Sequence, residues 1–171
     1  NLMKFFIYSN NDFGHYFLIK YIIPFYNNYG ESSIIGLLNL FSKMIDSNYY
    51  NQDELNGMME IINSISQKEN IYLDPRPALF NLITKLSSIS SDVTSEYFES
   101  AIQTFNQVNN DPFMLDTKIA CSYFLICSLN QNQEQFKDVI PLIPEILKVF
   151  PSKKLINQFF IEMKTFTENS K

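Results

Sequence analysis

A single histidine, His15, in a chain of 171 residues removes any metal site built from several imidazoles and leaves no obvious general base beside a Cys or Ser nucleophile. Four glycines and seven prolines leave few hairpin turns. There is no glycine-rich phosphate loop, no G-x-S-x-G elbow and no D-D-x-x-D-like carboxylate cluster. Asp53 beside Glu54 comes nearest to one, and a solvated first helical turn favoured by the helix dipole accounts for it. Cys121 and Cys127 fall on one expected helix with roughly 9 Å between their Cα atoms, beyond disulfide reach, so both are expected as reduced core thiols.

Apolar runs are short as well. None reaches 18 residues, Lys20 interrupts the most hydrophobic early stretch, and the opening LMKFFIY is brief for a signal peptide, so a soluble chain without membrane insertion is expected. Reduced thiols and the lack of an N-x-S/T sequon point to an intracellular location, cytoplasmic or nuclear. The net charge is −5, from 18 acidic and 13 basic residues, and no basic cluster exceeds the pair Lys153 and Lys154. Phosphate neutralisation needs several cations on one surface, so no nucleic-acid contact is expected. No cofactor and no catalytic or metal-binding residue is expected either. Asn1 in place of a Met is expected of a piece of a longer chain or of a processed form.

What the chain has in quantity is apolar side chains at helical spacing: 46% of residues are hydrophobic and 15% aromatic. An all-α fold follows, because the spacing is 3.6 rather than alternating. Ala120, Tyr123, Phe124 and Cys127 occupy i, i+3, i+4 and i+7, one face of a helix that Asp116 is placed to cap and that runs over Thr117–Leu129. Ile119, Leu125 and Ile126 are apolar too, so this helix calls for cover on more than one side.

The quartet recurs. About 42 and 41 residues separate Leu37, Leu40, Phe41, Met44 from Leu79, Leu82, Ile83, Leu86 and these from Ala120, and about 36 more lead to Ile156, Phe159, Phe160, Met163. A second series runs between them: Leu18, Tyr21, Ile22, Phe25; Leu55, Met58, Met59, Ile62; Phe98, Ala101, Ile102, Phe105; Phe136, Val139, Ile140, Ile143. The reading is four helix pairs, about 13–46, 53–90, 95–129 and 135–168, in one segment. A lone pair cannot bury enough surface to offset the ordering of its backbone, so neighbouring pairs are expected to stack. The first and last helices are strongly apolar, and further repeats or a partner are expected to cover one or both ends.

Local signals set the boundaries. Pro24 is expected to kink or shorten the first helix, Gly30 to stop it, and Ser32 or Ser33 to cap the second. Asn51 with Glu54 resembles a capping box, and Asp74 is expected to cap a helix with Pro75 in its first turn. Ser91 to Thr94 reads as a turn before a helix from Ser95 to Asn109. Pro141 and Pro144 imply a bend or a late start in the helix read over Gln135–Phe150. His15 is expected as a partly exposed helix residue.

Asp111 and Pro112 in a loop, Lys118 early in the next helix, and the small pair Ala120 and Cys121 resemble the HEAT-repeat pattern of the HEAT/armadillo-like families. DVIPLIPEILKVF followed by PSKKLINQFF is similar to it again, with proline in the first helix and Lys154 in the basic position. The first two units depart: one has no Asp in its turn, the other only Asp74 beside its helix. What the resemblance implies is a short α-solenoid of stacked antiparallel pairs, with Asp111, Lys118 and Lys154 forming a ladder between repeats. The alternative fold is a compact helical bundle.

On this reading the chain is a non-catalytic protein-binding scaffold or adaptor in a larger assembly, such as an importin-like transport receptor. The residues left over on the second helices form the candidate partner stripe: Asn39, Lys43, Asn81, Lys85, Ser122, Asn157 and Lys164. The alternative function is a helical accessory domain of an enzyme whose active site lies outside this segment.

Overall fold

The computed structural model describes residues 12–66, 73–108, 111–129, 137–149 and 153–169, with the side chains of 12, 13, 154, 155 and 166–169 excepted. The fold is all-α, and no strand occurs among the described residues. The chain divides into two compact units, Asn1–Leu82 and Ile83–Lys171.

In the first unit, the first helix of the pair expected over 13–46 is broken into three. α1 (Asp12–Phe17) passes into a π-helical turn at Leu18–Ile22 and then a 3-10 turn at Ile23–Asn28. Pro24 is the cause: it has no N–H for the ladder, and its ring opposes the carbonyl four residues earlier, so the winding loosens before it and tightens after it. α2 (Glu31–Asp46) follows, and neither Ser32 nor Ser33 caps it. Gly30 is its N-cap, with its carbonyl accepting from Ser33 N and Ile34 N. Glu31, in the first turn where the dipole favours a carboxylate, accepts from Leu73 N at 2.8 Å.

α2 ends in a Schellman motif: Tyr49 N donates to Met44 O and Asn48 N to Ile45 O, with Asn48 at φ 51°. α3 (Gln52–Ser66) opens on the expected capping box, in which Glu54 N donates to Asn51 Oδ1 and Asn51 N to Glu54 Oε2, each at 2.9 Å. Gly57, buried in α3, faces Ile23. A Cβ there would meet Ile23 Cδ1 at 2.7 Å and Cγ2 at 2.9 Å, so the glycine is what lets the 3-10 turn approach. α4 (Arg76–Ser87) starts after Asp74, whose Oδ1 accepts from Arg76 N at 3.1 Å, while Pro75 supplies the first helical carbonyl to Leu79 N.

The second unit is built on α5 (Ser91–Val108) and α6 (Leu115–Ser128), an αα-hairpin. α5 begins four residues before the expected Ser95. Val93 and Thr94 are buried, and the packing that draws them in converts the expected turn into helix. The small residues Thr94, Ala101, Thr117, Ala120 and Cys121 are all buried, and the two backbones approach closely. Asp116 does not cap α6. A 3-10 turn at Pro112–Met114 precedes the helix, and Asp111 caps that turn by accepting from Phe113 N at 2.9 Å. Asp116 sits inside the first turn of α6.

A 3-10 turn at Ile140–Leu142 leads into α7 (Ile143–Lys148), the late start that Pro141 and Pro144 impose. Residues 135, 136 and 150 of the expected helix lie outside the described residues. α8 (Lys153–Asn169) completes the unit and packs on α6.

Burial follows the repeated quartets in the middle of the chain. Leu37, Leu40, Phe41 and Met44 on α2 and Leu79, Leu82, Ile83 and Leu86 on α4 are all buried. α6 is covered nearly all round, since no residue from Thr117 to Leu129 is exposed. The outer quartets behave differently: Tyr21, Phe25, Ile140 and Phe160 are exposed.

Candidate functional site

Three groups of residues could carry function: a buried polar cluster, an aromatic surface and the outward faces of α2, α4 and α8. The cluster arises where the Schellman turn delivers Tyr49 and the capping box delivers Glu54 to the side of α1. His15 Nδ1 lies 2.7 Å from Glu54 Oε1, and the ring stacks on Tyr49 with centroids 4.3 Å apart. Glu54 is fully buried and His15 is 24% exposed at its side chain. Glu54 Oε2 accepts from Asn51 N at the same time. Both oxygens of Glu54 are therefore committed, one to the ring and one to Asn51 N, and the pair fastens α1 to the start of α3.

Sequence reasoning expected a partly exposed His15 and a solvated Glu54. The first holds and the second does not. A signal was present, because Glu54 shares the α3 stripe of Met58, Ile61, Ile62 and Ile65, all buried. A carboxylate on an apolar stripe requires a partner beyond its own cap.

The aromatic surface lies on the end of α1 and the irregular segment after it. Tyr16, Tyr21 and Phe25 are exposed, and Tyr16 meets Tyr21 edge-on at 6.1 Å. Lys20 Nζ donates to Tyr16 Oη at 2.6 Å and lies 4.9 Å from the centroid of its ring. That bond holds the Tyr16 phenol below the usual tyrosine range, and its hydrogen bond with Tyr16 holds Tyr21 above it.

Of the candidate partner stripe, Asn39 and Lys43 on α2, Asn81 on α4, and Asn157 and Lys164 on α8 are exposed, and Lys85 on α4 is half-buried. Ser122 is a correction. It is fully buried and its Oγ has no hydrogen-bond partner, because α6 is enclosed and leaves no outward face at that position. Phe160 and Ile161, absent from the expected stripe, are exposed between Asn157 and Lys164.

The three ladder residues are Asp111, Lys118 and Lys154. Asp111 caps its own loop. Lys118 Nζ lies 5.7 Å from the Phe105 ring centroid, and burial lowers its pKa against the opposing pull of Glu145. Lys154 is in α8, and its side chain lies outside the described residues. Cys121 is buried, Cys127 is half-buried, and neither forms a disulfide. Among the described residues no group of three or more His, Cys, Asp or Glu side chains could hold a metal ion. No helix among them is long and apolar enough to cross a membrane.

No family model matches the chain, and neither the curated proteins nor the solved structures include a match to it.

Proposed function

We propose that this chain is a non-catalytic scaffold or adaptor segment, a run of four HEAT-like helix pairs that binds protein within a larger intracellular assembly, as importin-like transport receptors do. The supporting observation is that the second helices of the third and fourth pairs pack together, and that one hydrogen bond links the starts of those of the first two. In the first unit Leu73 N, just before α4, donates to Glu31 at the start of α2, a separation of 42 residues that equals the repeat. In the second unit α6 packs on α8. A helical array brings corresponding helices side by side in this way.

The partner surface in this proposal is Asn39, Lys43, Asn81, Lys85, Asn157 and Lys164, polar and modestly basic, suited to backbone carbonyls and carboxylates. Asp111, Lys118 and Lys154 belong to the contacts between repeats. Small-angle scattering tests the architecture: an elongated, curved particle is expected, and a near-spherical one refutes the array. Pull-downs test the surface. Alanine substitutions across the stripe should release bound protein, whereas a full set of partners retained by every variant removes the role assigned to it.

A further inference from the structure

The π-helical turn at Leu18–Ile22 changes which side chains meet on the surface that follows α1. Ile23 N donates to Leu18 O, five residues back, so the local winding brings positions five apart together as well as positions four apart. Tyr16, Lys20 and Tyr21 stand at i, i+4 and i+5, and all three meet. Lys20 Nζ donates to Tyr16 Oη at 2.6 Å, lies 4.9 Å from the centroid of the Tyr16 ring and 5.8 Å from that of Tyr21, and the two rings meet edge-on at 6.1 Å. Tyr21 is held from its far side, where its ring packs on Phe17 at 5.4 Å and its carbonyl accepts from Tyr29 Oη at 3.2 Å.

The cluster is also open to solvent. Tyr16 is 49% and Tyr21 46% exposed, whereas Tyr26, Tyr29, Tyr49, Tyr50, Tyr97 and Tyr123 are half-buried or buried. A phenol is a weak nucleophile in its neutral form and a good one as the anion, and neighbours that stabilise the anion activate it. Among the described residues the titratable groups that bear on Tyr16 are Lys20, an ammonium donating to its oxygen, and Tyr21, a second phenol hydrogen-bonded to it. Their effects on the two phenols are opposite: Tyr16 is held below the usual tyrosine range and Tyr21 above it. One phenol of the pair is thereby set up to react and the other to support it.

We propose that Tyr16 is a covalent modification site, a surface phenol that takes an acyl group from an activated acyl donor, with Lys20 and Tyr21 as its positioning residues. Tyr16 Oη forms a bond to the acyl carbon, and the bond from that carbon to its leaving group breaks. The leaving group departs with the electron pair and takes up the proton that the phenol gives up, so the product is an aryl ester at Tyr16. The site does not depend on the scaffold reading above.

Limited acetylation of the 171-residue chain with N-acetylimidazole, read by peptide mass spectrometry, tests this. An acetyl ester is expected at Tyr16 ahead of Tyr21 and Tyr50, removable with hydroxylamine and missing in Tyr16→Phe. Lys20→Met should slow its formation at least about threefold and move its rise with pH to higher pH, since the anion then forms without a cation beside it, while the rate at Tyr50 stays the same. Tyr21→Phe keeps the ring and loses the hydroxyl, and should slow the reaction less than Lys20→Met does. All three side chains are exposed, so the helical circular dichroism spectrum should be unchanged in each variant. Faster ester formation at Tyr21 or Tyr50 than at Tyr16 overturns the proposal. An unchanged rate and pH profile in Lys20→Met, or a hydroxylamine-stable amide at Lys20 in place of the ester, overturns it equally.

Discussion

His15 and Glu54 lie 39 positions apart and meet at 2.7 Å, where the only histidine of the chain and a fully buried carboxylate join α1 to the first turn of α3. Removing Glu54 takes the partner from two groups, His15 Nδ1 and Asn51 N. Glu54→Ala is expected to cost about 2–4 kcal/mol, and His15→Ala less, since the carboxylate keeps its cap bond to Asn51. In urea denaturation the double variant should lose less than the sum of the single ones. Strict additivity would mean that the contact carries no coupling.

Gly57 and Gly36 are both helical glycines, and they should respond to alanine in opposite directions. Alanine at an open helical position gains up to about 1 kcal/mol, and nothing lies within 4 Å of a Cβ at Gly36. At Gly57 the new methyl runs into Ile23, so a loss of about 1–3 kcal/mol is expected despite the better propensity. Thermal melts of the two variants separate the effects, and Gly57→Ala combined with Ile23→Ala should escape much of the added penalty. Stabilisation by Gly57→Ala alone would contradict the close approach.

Asp111 and Asp116 divide the work at the start of α6. Asp111→Ala removes a side-chain cap and should lose about 1 kcal/mol, whereas Asp116→Ala, which removes only a favourable charge in the first turn, should lose roughly half a kcal/mol or less. Equal losses in denaturation midpoints would return the cap to Asp116.

Alkaline stability should turn on Tyr97. Burial holds its phenol far above the usual tyrosine range, and Glu96 adds to the rise. The fold favours the neutral form, so the contribution of Tyr97 is complete below its unfolded value of 10.0 and is lost as pH climbs beyond it. Tyr97→Phe, which cannot ionise, should flatten the fall in denaturation midpoint between about pH 10 and 12. Parallel falls in the parent and the variant would assign the loss to other groups.

Periodicity made the all-α class, most helix positions and the buried quartets of α2 and α4 legible, because a 3.6-residue stripe depends only on local spacing. The capping box at Asn51 and Glu54 and the disruption at Pro24 were legible for the same reason. What escaped depended on neighbours distant in sequence. α5 starts at Ser91 since Val93 and Thr94 are drawn into the core, and Ser122 is buried since α6 is covered beyond its apolar face. The His15 contact rests on a Schellman turn and a broken helix that together bring the two residues side by side. The partner stripe was half visible: its polar members are mostly exposed, but Phe160, which the quartet spacing assigns to the apolar face, is exposed together with Ile161.

The enclosure of α6 gives it a different evolutionary standing from the other helices. With no exposed position after Asp116, it has nowhere to accept a change of side-chain volume alone. Substitutions in α6 have to be answered on the helices packed against it, so they should accumulate slowly and in step with changes in α5 and α8. Exposed positions outside the proposed partner surface, such as Glu60 on α3 and Ser100 on α5, can change one at a time.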